Sequence, residues 1–144
     1  NKELGLQAIY QNHSGSNYVG APLWDLHELF KAHDPKHLAV GFDMSHATAE
    51  GTRAWPLHAN LLRPRIGALY VKSFRWKDNK RDNCSLAEGI VDKKYPGQLI
   101  KSGYSGPINL HVEYLKPFTK ENVPNQITAI KKDILTLKEW LNWS

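Results

Sequence analysis

Apolar and polar positions along the chain switch repeatedly between a period of two and a period near three and a half. That switching predicts strands alternating with helices. Residues 6–13, LQAIYQNH, alternate as a strand does, and the overlapping HSGSNYVGAP is turn chemistry. Leu23, Leu26, Leu29 and Phe30 recur at helical spacing, and Pro35 closes that helix. LAVGFD (38–43) predicts a second, buried strand followed by a long loop. Trp55, Leu57, Leu61 and Leu62 then predict a helix that closes near Pro64. IGALYVKSF (66–74) predicts a third strand, and the charged stretch through Asp82 a loop. After LAEGIVD (86–92), a short helix holds Leu99 and Ile100 and stops at Gly103. PINLHVEYL (107–115) predicts the fourth strand. Ile127, Ile130, Ile134, Leu137 and Leu141 form one stripe of a final helix, with Lys131, Lys132, Asp133 and Lys138 mostly elsewhere, so the stripe is expected on the sheet.

Strand–helix alternation of this kind argues for parallel strands joined by right-handed crossovers, with ligands beyond the carboxyl ends of the strands. Polar residues collect at those ends. Strand one finishes in Gln11, Asn12 and His13, and strand two in Asp43 with His46 just beyond. Strand three carries Tyr70 and Lys72 on one face, and strand four Asn109, His111 and Glu113 on one face. Asp43 and His46, spaced D-x-x-H, can share one cation or grip one polyol. The same pair also fits a helix cap followed by an ordinary histidine. Tyr18, Trp55 and Trp76 fall in or near the ligand-side loops, where flat rings suit the apolar faces of sugars or, equally, seal loops onto the fold.

At 144 residues the chain makes one domain, and 41% apolar residues with five Trp, six Tyr and four Phe favour a folded core. No apolar run approaches the ~20 residues that cross a bilayer, so no membrane partner is expected. The formal charge of +5 is spread out, and the one dense cluster, KDNKR (77–81), is broken by Asp78. That is a solvated loop or a patch for anionic substrates, and no nucleic-acid partner is expected. Cys84 stands alone as a free thiol. The sequons at Asn12, Asn83 and Asn142 are not read as glycosylation sites. Asn1 is not a start residue, which leaves a cytoplasmic or bacterial periplasmic location open.

With these residues in hand, the sequence resembles the xylose isomerase-like TIM barrels, the superfamily of sugar phosphate isomerases, epimerases and endonuclease IV. YQNHSG resembles the end of strand five, GFDMSH strand six, and ALYVKSFRW strand seven. AEGIVD resembles the family's Gly-Glu-Gly-x-(Val/Leu)-Asp loop, and GYSGPINLHVEY strand eight. The fold class implied is α/β, a (β/α) TIM-barrel half whose four parallel strands and four helices correspond to strands five to eight. The family generally holds one divalent metal (Mn, Mg, Co or Zn) through a Glu, an Asp, a His and a Glu on those four strands. Its two glutamates move the proton in epimerisation and aldose–ketose isomerisation.

Carried over position by position, Asp43 matches the family Asp, His46 its D-x-x-H histidine and Lys72 its lysine, while Ser73 replaces the following acid. Gln11, Tyr70 and His111 stand where the strand-five Glu, strand-seven His and strand-eight Glu should be. The two-glutamate shuttle is therefore missing, because Gln11 cannot act as a base. The resemblance implies Asp43 and His111 as metal ligands, and His111, Lys72 and Glu113 as catalytic groups. It implies Gln11, His13, His46, Tyr70 and Trp76 as substrate contacts. The function implied is a sugar, sugar phosphate or polyol isomerase or epimerase working by proton transfer next to a carbonyl. The alternative is a non-catalytic carbohydrate-binding or scaffold protein that has lost its metal. The expected partners are a small carbohydrate and, for a half-barrel with open edges, an N-terminal half or a second copy. All of this expects Gln11, Asp43, Lys72 and His111 to converge at one rim of a parallel sheet.

Overall fold

The computed structural model describes residues 2–142. A 3-10 turn precedes β1 (Ala8–Gln11), α1 (Trp24–Phe30), β2 (Leu38–Asp43), α2 (Met44–Gly51), α3 (Trp55–Leu62) and β3 (Ile66–Val71). Then come β4 (Ser73–Lys77), β5 (Lys80–Cys84), α4 (Tyr95–Lys101), β6 (Ile108–Leu110) and α5 (Val123–Leu141). The parallel sheet runs in the order β1-β2-β3-β6, and β4 and β5 form a separate antiparallel pair. The contacts divide the chain into two compact units. The first holds the residues up to Tyr70 together with Gly106–Asn109, and the second Val71–Ser105 together with the residues from Leu110 onward.

In the first unit β2 is buried from Ala39 to Asp43 without a break, as a parallel strand covered on both faces must be. α1 turns Leu26 and Phe30 inward and leaves Leu29 out. α3 buries Trp55, Ala59 and Leu62 at i, i+4 and i+7, while Leu57 and Leu61 face outward. The Trp55 ring lies 6.2 Å from that of Phe42, so it seals the helix onto β2. The long loop expected after Asp43 is instead α2. Its sequence, MSHATAEG, has no apolar stripe, because residues 44–48 are all buried and no polar face exists to reveal the period. β1 is shorter than the 6–13 expected.

The second unit departs further from expectation. The predicted strand 66–74 breaks at Lys72, and Ser73 starts a hairpin. The expected charged loop is that hairpin, turned by Asp78 and Asn79 at φ 49° and 57°, the left-handed pair a two-residue hairpin turn requires. Buried Phe74 lies under the Arg81 guanidinium at 5.4 Å and meets Trp76 edge-on at 5.2 Å. The fourth strand stops at Leu110, so the expected alternation through His111 and Glu113 does not hold, although the His111 N–H still donates to the Val71 carbonyl (2.9 Å).

α5 buries Ala129, Asp133, Leu137 and Leu141, four residues apart, whereas Ile127, Ile130 and Ile134 remain 40–47% exposed. The inward face is thus offset from the predicted stripe and includes a carboxylate. Asp133, 1% exposed, accepts from the Leu86 N–H (3.2 Å) and the Tyr114 hydroxyl (3.1 Å). Burial pushes its carboxyl above the usual carboxylate range. Burial, and then the nearby Asp133 charge, pushes the Tyr114 phenol up as well.

Asp133→Ala is expected to cost about 1–3 kcal/mol, since it strands the buried Leu86 N–H. Asp133→Asn, which can accept from Leu86 and donate to Tyr114, should match the parent near neutral pH. Because the folded carboxyl titrates above its unfolded value of about 4, the parent's margin over the Asn variant is fullest at low pH and shrinks as pH rises through the folded value. Urea unfolding of the three proteins across this range checks the order; an Asn variant as unstable as the Ala variant near neutrality would contradict it.

Candidate functional site

Asp43 is the last residue of β2, with extended backbone (φ −91°, ψ 107°), and its carboxylate caps α2. Oδ1 accepts from the N–H groups of Ser45 (3.0 Å) and His46 (3.1 Å), and Oδ2 from Gln11 Nε2 (2.9 Å). A carboxylate only accepts, so Gln11 must turn its N–H₂ toward it. The cap reading of D-x-x-H is therefore correct as far as it goes, and the same fully buried carboxylate also holds the end of β1. Asn12 joins the two strands a second time. Its Oδ1 accepts from the Asp43 N–H (2.7 Å) and its Nδ2 donates to the Asp43 carbonyl (3.1 Å). The side-chain amide thus continues the β1–β2 pairing past its last backbone rung.

Two imidazoles stand beside this carboxylate, and their contacts fix their tautomers. His46 Nδ1 accepts from the Ser14 N–H (3.2 Å), with Ser14 Oγ at 2.8 Å, so the ring hydrogen sits on Nε2. Nε2 is 3.7 Å from Asp43 Oδ2, too long for a hydrogen bond but within electrostatic reach. His13 Nδ1 lies 2.9 Å from the Ser14 carbonyl and must donate to it, which leaves the lone pair on Nε2. The His13 ring stacks on His46 (3.8 Å between centroids) and on Tyr18 (4.2 Å). Tyr70 lies across Gly41, where an added Cβ would come within 2.5 Å of its ring. Ser14 is the contributor that the sequence did not single out, and Asn12, expected at this strand end, had no role assigned to it. The only signal for them is four polar residues in succession, QNHS, at a strand end.

In the second unit Lys72, 7% exposed in its side chain, donates to both oxygens of Glu113 (3.1 and 3.2 Å). His111 Nδ1 lies 3.4 Å from Glu113 Oε1. These three expected residues do come together. Trp76 does not join them: it sits half-exposed on the hairpin against Phe74.

The proposed metal ligands fall one in each unit, Asp43 in the first and His111 in the second. Within either unit the carboxylates already face hydrogen-bond donors. Both Asp43 oxygens already accept hydrogen bonds, Gln11 presents N–H rather than carbonyl to that position, and the Lys72 ammonium already spans the Glu113 carboxylate. Among the described residues no group of three or more His, Cys, Asp or Glu is arranged to hold a metal. No helix among them is long and apolar enough to cross a membrane.

Residues 1–140 match the family model described as "Xylose isomerase-like TIM barrel". The chain is also similar in structure to the crystal structure of a "Putative Xylose isomerase" from Rhodospirillum rubrum ATCC 11170. That match has TM-score 0.69 and 18% identity over 96% of this chain and 49% of that one. A second similar structure is the "probable 3-DHS dehydratase AsbF" of petrobactin synthesis from Bacillus anthracis, with TM-score 0.66, 18% identity, and 95% and 51% coverage. The chain thus spans about half the length of each. No curated protein matches it.

The two tautomers are directly measurable. In ¹⁵N-detected NMR spectra at neutral pH, His46 is expected to carry its hydrogen on Nε2 and His13 on Nδ1, and Ser14→Pro, which deletes the donor to His46, should release the His46 preference. Identical tautomers in both rings would contradict the geometry.

Proposed function

The chain belongs to the xylose isomerase-like TIM-barrel family, and on that footing we propose that it acts on a keto-sugar, sugar phosphate or polyol by proton transfer next to a carbonyl. The observation that carries the reading is the fixed tautomer of His13. A neutral imidazole whose Nδ1–H is held by the Ser14 carbonyl keeps a basic lone pair on Nε2, and a positioned imidazole is the most frequent general base. A proton leaves the hydroxyl-bearing carbon beside the carbonyl for that nitrogen, the electron pair moves into an enolate, and the proton returns either to the former carbonyl carbon, with the neighbouring hydroxyl proton passing to the old carbonyl oxygen, or to the carbon it left. The first outcome is isomerisation and the second epimerisation. His46 and Gln11 are the hydroxyl contacts, with Tyr70 and Tyr18 as ring surfaces.

The second unit carries its own set. Lys72 is assigned the stabilisation of a developing oxyanion, Glu113 holds the ammonium in place, and His111 is a second proton carrier. No step is routed through a metal.

The engagement of both Asp43 oxygens supports a second reading, a carbohydrate-binding protein without turnover. Incubation with ketoses in D₂O, followed by proton NMR, separates the two. Catalysis predicts deuterium entering the carbon next to the carbonyl, with Lys72→Ala slowing it about 100-fold, the usual consequence of losing one electrostatic stabiliser, and His13→Ala slowing it at least as much. Sugar-dependent shifts in the protein spectrum without deuterium uptake favour the binding reading. Deuterium uptake unchanged in both variants would remove these residues from the mechanism.

A further inference from the structure

In the second unit Glu113 grips the Lys72 ammonium from a segment with no regular structure of its own. β6 ends at Leu110, and from His111 to Thr119 the chain belongs to neither helix nor strand. The Glu113 side chain is also 39% exposed, against 7% for Lys72. An ion pair this open to water gains little unless its partners are already held, because fixing long side chains costs conformational entropy. Two neighbours supply that hold. On one side the His111 N–H donates to the Val71 carbonyl at the end of β3 (2.9 Å). On the other Tyr114, next in the chain, donates its hydroxyl to Asp133 Oδ2 (3.1 Å). Asp133 is a firm base for such a bond. It stands mid-helix in α5, with buried Ala129 and Leu137 one turn away on either side, and its other oxygen accepts from the Leu86 N–H (3.2 Å). Burial pushes the Tyr114 phenol up and so keeps it in its donating form. Glu113 is thus strung between one fixed point on β3 and another on α5.

We propose, on the reading that Lys72 stabilises a developing oxyanion, that Asp133, acting through the Tyr114 hydroxyl, is a positioning residue for Glu113. With the tether in place Glu113 presents both carboxylate oxygens to the Lys72 ammonium, at 3.1 and 3.2 Å. Without it, the segment that carries Glu113 is released on its α5 side, and the ammonium loses the partner that aims it. The buried carboxylate of α5 therefore contributes to the site at one remove, through a residue next to Glu113 in the chain.

Tyr114→Phe removes the hydroxyl and keeps the ring. Unfolding of Lys72→Met, Glu113→Gln and the double variant measures the coupling of the ion pair, expected at about fivefold in the folding equilibrium and below about twofold once Tyr114→Phe is added. Asp133→Ala should lower the coupling in the same way, whereas Asp133→Asn, which still reaches the Tyr114 hydroxyl, should retain it. A tether that served the fold alone would lower stability and leave the coupling as it was. In ketose incubations in D₂O, Tyr114→Phe should slow deuterium uptake about tenfold, as displaced catalytic groups do, and Asp133→Asn should not. Should Asp133→Ala fail to fold, Tyr114→Phe decides. Unchanged Lys72–Glu113 coupling in Tyr114→Phe overturns the proposal, and so does an active parent whose Tyr114→Phe variant exchanges at full rate. A parent that takes up no deuterium rejects the proton-transfer reading alone, and the coupling still decides whether the tether positions Glu113.

Discussion

One buried carboxylate ties the first unit together at the place where its chemistry stands. Asp43 ends β2, and in water-free surroundings its two oxygens must find donors or make the strand end costly. They find them on both sides. The first turn of α2 supplies two backbone N–H groups, and β1 supplies the Gln11 amide. The charge sits where the helix macrodipole favours it, and charge-assisted bonds of this kind are roughly twice as strong as neutral ones. Everything nearby inherits its position from that arrangement. His46 follows at the first turn of α2, Ser14 fixes the His46 ring, and His13 stacks upon it.

The same arrangement shows how the family Asp can be kept with an amide, rather than a second carboxylate, beside it. A carboxylate at the end of β2 suits a cation best when its neighbours are anionic as well. Here Gln11 stands where the resemblance expects a Glu, and it donates to Asp43 instead of repelling it. One substitution thus converts two like charges that a cation would bridge into a hydrogen-bonded pair that needs none. Lys72 and Glu113 make a comparable internal pairing in the second unit.

Much of this was legible in the sequence, for physical reasons that differ from element to element. β2 was read to the residue, since a strand buried on both faces is a plain apolar run ending at a charge. The family resemblance rested on motifs at four strand ends in a fixed order, and the family and the four-stranded parallel sheet are as expected. α2 was missed because a helix buried all round shows no period. The hairpin was missed because its strands, SFRWK and KRDNC, are charged, and its turn depends on Asp78 and Asn79 adopting left-handed backbone. On α5 the inward face was misplaced because amphipathic reasoning sends every charge outward, whereas Asp133 is buried with two donors waiting for it. Asn12 and Ser14 act on backbone groups and on a ring nitrogen, contacts that no spacing rule encodes.

The most direct test of the account is a double-mutant cycle between Gln11 and Asp43. If one carboxylate joins β1 to the α2 cap, unfolding of Gln11→Ala, Asp43→Ala and the double variant should give a coupling energy of about 1–2 kcal/mol, as contacting hydrogen-bonded residues do. Strictly additive losses would mean that Gln11 and Asp43 act independently, and the shared carboxylate would not be what organises the site.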